Sequence, residues 1–104
     1  MTETSRLETL KQMVALEPDD EFSRYALALE HKKYSEAEEC LKQFDELHRR
    51  SPDYVPAYFM AGQLLADEDR IDEAKQRLQD GIAAAQRTKD RHAEMEMTEF
   101  LDSL

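Results

Sequence analysis

The residues of this 104-residue chain that could do chemistry are few, and no set of them closes into a site. Cys40 and His48 share a helical face but lie about 12 Å apart along its axis, too far to chelate one ion. His92 and Glu96 stand one turn apart, which makes two surface ligands and no more. Asp67, Asp69 and Asp72 resemble the start of a calcium loop. A loop opened at Asp67, however, puts Asp72 where glycine belongs and Leu78 where the closing glutamate belongs. Cys40 falls in an apolar stripe, where a thiol is buried and inert. The 24 Asp and Glu residues stand at helix starts and in turns, without the pocket burial that retunes a carboxylate. No glycine-rich phosphate loop is present. These residues predict a protein that is not an enzyme, with no cofactor and no metal.

What the sequence does specify is helices. Two glycines, three prolines and long stretches of Ala, Leu, Glu, Lys, Arg and Gln favour an all-α chain. Apolar spacing and stop signals predict six helical segments. The first runs from about Thr4 to Leu16, with Leu7, Leu10, Met13 and Val14 on one face, and Pro18 ends it. Asp19 or Asp20 caps a second, Glu21 to His31. Ser35 and Glu38 fit a capping box that opens a third, with Ala37, Cys40, Leu41, Phe44, Leu47 and His48 as its stripe. Ser51-Pro52-Asp53 separates it from a fourth carrying Tyr58, Ala61, Gly62 and Leu65, with Pro56 in the first turn. After Asp67-Glu68-Asp69 comes a fifth with Ile71, Ala74, Leu78, Gly81, Ile82 and Ala85. The last, about Asp90 to Ser103, turns Ala93, Met97, Phe100, Leu101 and Leu104 to one side and charge to the other.

These segments repeat. Pro18-Asp19 returns thirty-four residues later as Pro52-Asp53, Tyr25 as Phe59 and Ala28 as Gly62. Tyr34, Glu36, Ala37 and Leu41 return after thirty-seven as Ile71, Glu73, Ala74 and Leu78. A period of this size marks stacked units that bury their faces on one another, a scaffold rather than a catalyst.

The second unit, with Tyr58, Ala61, Gly62, Leu65, Ile71, Ala74, Leu78 and Gly81 in register, resembles the tetratricopeptide repeat (TPR). The resemblance covers about residues 7–85. It implies an all-α, right-handed helical-repeat solenoid of antiparallel helix pairs with about six helices. Residues 1–104 would form one domain: a half repeat at 4–17, repeat one at 19–50, repeat two at 53–88 and a capping helix at 90–104. The first repeat departs from the pattern. Ala28 to Ala37 spans nine residues where Gly62 to Ala74 spans twelve, so about a turn is missing, and Arg24 stands where a large aromatic is usual.

The resemblance also implies a concave groove that binds a peptide or helix. Position by position it would present Phe22, Tyr25 and Leu29, then Phe59, Gln63 and Ala66, an apolar strip with one amide. Against this stands a core reading of the first repeat, in which Phe22, Tyr25, Ala26 and Leu29 form a buried face at helical spacing. The family's clamp on a chaperone's terminal carboxylate uses lysine, arginine and asparagine. Tyr25, Leu29, Phe59 and Gln63 occupy those positions here, and the chain has no asparagine. That mode is not expected.

A net charge of −10 repels phosphate backbones and anionic lipid, so neither nucleic acid nor membrane is an expected partner. One cysteine forms no internal disulfide, and a polar start without an apolar run of ~20 residues predicts a cytoplasmic protein. The expected partner is a protein or peptide segment. The alternative is self-assembly, in which the N-terminal helix completes its half repeat with another copy as a homodimer.

Overall fold

Helices account for most of residues 3–104, the part that the computed structural model describes, with side chains from Arg6 onward. They are α1 (Glu3–Leu16), α2 (Glu21–Lys33), α3 (Ala37–Arg50), α4 (Val55–Asp67), α5 (Ile71–Thr88) and α6 (Arg91–Asp102). No strand occurs among the described residues, and no helix there is long and apolar enough to cross a membrane. The chain divides into two compact units, one ending at Ser51 and the other Pro52–Leu104. In the first, α1 packs on α2 and α2 on α3; in the second, α4 packs on α5 and α5 on α6.

Two helix starts are capped by side chains, the first of them as the sequence suggests. The Asp20 carboxylate accepts from Phe22 N at 3.3 Å, and that of Asp90 accepts from Ala93 N at 3.1 Å. Each satisfies an amide that has no partner inside the helix. The capping box at Ser35 does not form. Ser35 has φ 59°, and the N-cap is Glu36, whose side chain makes no cap hydrogen bond. The Glu36 carboxylate instead meets buried His31, Oε1 to Nδ1 at 3.1 Å.

The reason lies in how the helices end. Ser35, Asp69 and Lys89 all take left-handed φ angles, at 59°, 61° and 61°. Around each, the next residue's amide reaches five residues back: Glu36 N to His31 O, Arg70 N to Leu65 O, Asp90 N to Ala85 O, at 2.8–2.9 Å. This is the double closure that uses up the last helical carbonyls. A residue committed to it cannot also take the extended backbone of an N-cap.

The closures correct the expectation of a missing turn in the first repeat. Residues 31–36 and 65–70 bond alike at a shift of thirty-four, and α2 and α4 have the same length of 13 residues. The structural equivalent of Ala74 is therefore Cys40, and both are fully buried. The period changes farther on: α3 has 14 residues and α5 has 18, one extra turn.

In the first unit Leu10, Leu27, Ala28, Cys40, Leu41, Phe44 and Leu47 are buried. In the second, Val55, Tyr58, Leu78, Ala84, Ala85 and Met97 form one cluster, against which Phe59, Ile82, Ala93, Phe100, Leu101 and Leu104 pack half-buried. Both glycines lie inside helices at close approaches. A Cβ on Gly62 would stand 2.8 Å from the Leu78 side chain, and one on Gly81 would stand 2.5 Å from Tyr58 Cβ.

Candidate functional site

The core face of α2 is set by Ser23, Arg24, Leu27, Ala28 and His31, all buried, with Glu30 beside them. This removes the core reading of Phe22, Tyr25, Ala26 and Leu29, whose spacing is equally helical. Ala28, fully buried, lets the helix come close, and the stripe follows it. Phe22 is 78% exposed, while Tyr25 and Leu29 are half-buried. The Tyr25 ring lies 6.2 Å from that of Phe44, and burial, then the nearby Cys40, raises its hydroxyl pKa.

On α4 the buried set is Val55, Ala57, Tyr58, Ala61, Gly62, Leu64 and Leu65. Phe59, Gln63 and Ala66 are left half-buried on the remaining face. The structure thus keeps three candidates together on α2, in one unit, and three on α4, in the other. Beside the α4 strip it also adds residues from the C-terminal helix that the repeat pattern does not reach. Phe59 stacks at a tilt on Phe100, centroids 6.0 Å apart, and the two border an open depression of about 350 Å³ lined by Glu96, Glu99 and Ser103 as well. The signal for these was present in α6. Glu96, Glu99, Phe100 and Ser103 follow the i, i+3, i+4, i+7 spacing of a single helix face.

Behind each strip a polar clamp holds the preceding turn. Arg24, the residue that breaks the aromatic pattern, donates from Nη2 to Pro18 O at 3.1 Å and from Nη1 to Gln43 Oε1 at 2.9 Å. Thirty-four residues on, the Tyr58 hydroxyl donates to Pro52 O at 2.7 Å. A guanidinium and a phenol thus do the same work on equivalent carbonyls. The following helices add a second grip. Arg50 donates to Asp19 Oδ1 at 2.7 Å, and Arg87 to Asp53 Oδ1 at 2.9 Å and to Pro52 O at 3.1 Å.

Glu46 joins the first clamp. It accepts from Arg49 Nη2 at 2.8 Å and Arg50 Nε at 2.9 Å, and these bonds hold its carboxyl down at about 2. A depressed carboxylate stabilises the fold above its unfolded pKa of ~4.3, and that contribution is lost as pH falls towards 2. Glu46→Gln is therefore expected to lower Tm at pH 7 but to match the wild type near pH 2. Thermal scans across that range check this, and a gap that persists at pH 2 would overturn it.

The remaining chemical candidates are taken up locally. Cys40 is fully buried, and burial pushes its thiol up to about 11. His92 Nε2 pairs with Glu96 Oε1 at 3.2 Å. Among the described residues no three His, Cys, Asp or Glu side chains are grouped so as to hold a metal.

Comparison with known proteins gives a consistent picture. A family model described as tetratricopeptide repeat matches residues 28–95. The solution NMR structure of a tetratricopeptide repeat domain protein from Salinibacter ruber is 36% identical. It covers 84% of this chain and 88% of its own, with a TM-score of 0.79. A crystal structure of a tetratricopeptide repeat domain protein from the same organism, also 36% identical, covers 81% and 93% with a TM-score of 0.74. No curated protein matches the chain.

Proposed function

Because this chain belongs to the tetratricopeptide repeat family, whose fold is generally a protein–protein interaction module, we propose that it is a non-enzymatic adaptor for an apolar peptide or helix. Each unit offers a docking strip on the face left outside its own core: Phe22, Tyr25 and Leu29 on α2, and Phe59, Gln63 and Ala66 on α4. The observation that carries this reading is the exposure of Phe22, 78% open on a helix whose buried face lies elsewhere. An aromatic ring held in water is an anchor for a partner's apolar side chain.

The test uses Phe22→Glu and Phe59→Glu, each first matched to the wild type in helical content by circular dichroism. Tagged protein in lysate from its source is expected to retain a partner that at least one of the two variants loses. Retention of the same partner by both would move binding to another surface.

A second reading, self-association, is favoured by α1, where Leu16 is 82% exposed and Met13 45%. A second copy would cover them. Light scattering that reports a monomer at high concentration would remove it.

A further inference from the structure

The depression beside Phe59 has a one-sided chemistry. Its polar groups are the carboxylates of Glu96 and Glu99 and the hydroxyl of Ser103. The Ser103 hydroxyl already donates to Phe100 O at 2.6 Å, so it presents only lone pairs outward. Glu99 makes no ion pair or hydrogen bond within the described residues, and Glu96 meets only His92. The remaining walls are the rings of Phe59 and Phe100, whose faces carry partial negative charge. Every group in the lining accepts hydrogen bonds or attracts cations, and none donates. Helix α6 deepens the bias: Glu94, Glu96, Glu99 and Asp102 stand against Arg91 as its one permanent cation.

We propose that this depression takes a cationic side chain, arginine or lysine, from a partner segment that lays an adjacent apolar residue on Phe59. The proposal rests on the adaptor reading above and names the chemistry of its occupant at the α4 strip. The argument is complementarity. Apolar rings fix where the segment lies, and the two carboxylates decide which segments stay. An acidic segment would place like charge against Glu96 and Glu99, on a chain already at −10. A neutral one would leave Glu99 partly dehydrated and unpaired, and Glu96 with His92 alone. The aliphatic stem of an arginine or lysine covers ring surface while its head reaches the acids.

The test is an NMR titration of the full chain with a short acetylated peptide of leucine and arginine, and with its glutamine and glutamate counterparts. The arginine peptide is expected to shift the ring signals of Phe59 and Phe100. It should bind about fivefold more weakly to a Glu96→Gln, Glu99→Gln double variant, on the scale of exposed charge pairs. Glu68→Gln with Asp72→Asn removes the same charge outside the depression and should leave the affinity unchanged. An arginine peptide that moves no signal at Phe59 or Phe100 overturns the proposal, as does equal loss in both double variants. Should all three peptides shift the rings equally, the adaptor reading stands and the cationic preference falls.

Discussion

Gly81→Ala is expected to lower Tm by ~10 °C, the opposite of what helix propensity alone predicts. Alanine in a helix interior is worth about 1 kcal/mol over glycine. At Gly81 the added methyl would come 2.5 Å from Tyr58 Cβ and 2.6 Å from Met97 Sδ. Met97 can swing its sulfur aside, but a Cβ moves only with its backbone, so α4 and α5 must separate. Overpacking of this kind costs about 1–3 kcal/mol, and more where backbone must shift. The clash wins by about 2 kcal/mol, which a small domain reads as roughly 10 °C. Thermal unfolding of the single variant decides it. A Tm at or above the wild type would mean that the two helices are not pressed together at this point.

Leu78→Ala carries an expected loss of about 3 kcal/mol, because Leu78 is fully buried and the cavity closes only in part. Its sharper consequence concerns Gly62. In the wild type a Cβ on Gly62 meets Leu78 Cγ and Cδ2, both at 2.8 Å. Those atoms are gone in Leu78→Ala. Gly62→Ala is therefore expected to destabilise the wild type and to stabilise Leu78→Ala, with a coupling of about 2 kcal/mol. Denaturant unfolding of the two single variants and the double variant closes the cycle. Additive effects would show that Gly62 is small for some reason other than Leu78.

Much of this fold is legible in the sequence. Pro18 and Pro52, Asp20 and Asp90 mark helix limits by local chemistry, and the observed α2, Glu21–Lys33, differs from the expected segment only at its end. What the sequence hides is anything that depends on which of two good local options the chain takes. Ser35 and Glu38 have the spacing of a capping box, but closing α2 requires Ser35 at positive φ, and the closure prevails. The thirty-seven-residue match from Tyr34 to Ile71 is real in residue type, yet hydrogen bonding aligns Ser35 with Asp69.

The candidate strip divides in the same way. The repeat period reaches Phe59, Gln63 and Ala66, since they echo Tyr25, Leu29 and Lys32. It does not reach α6, which has no counterpart upstream, and so Phe100 and its acidic neighbours emerge only from packing. On α2, Phe22, Tyr25, Ala26 and Leu29 match helical spacing as well as the true core does. Hydrophobicity alone would bury them. Arg24 and Glu30, each 93% removed from solvent, are polar, so no apolar stripe reveals where the interior lies.

The three left-handed closures have a thermodynamic side. A left-handed backbone is where glycine is usually placed, because it costs other residues about 1–2 kcal/mol there. This chain puts serine, aspartate and lysine at those corners and holds its glycines inside helices. Conformational freedom is thus withheld from the corners before folding begins. Each loses less entropy when it forms than a glycine corner would. The two glycines lose more, and their helices come close enough to offset it. Strain is stored in the links and slack in the rods, so a search for stabilised variants of this protein begins at its corners rather than its core.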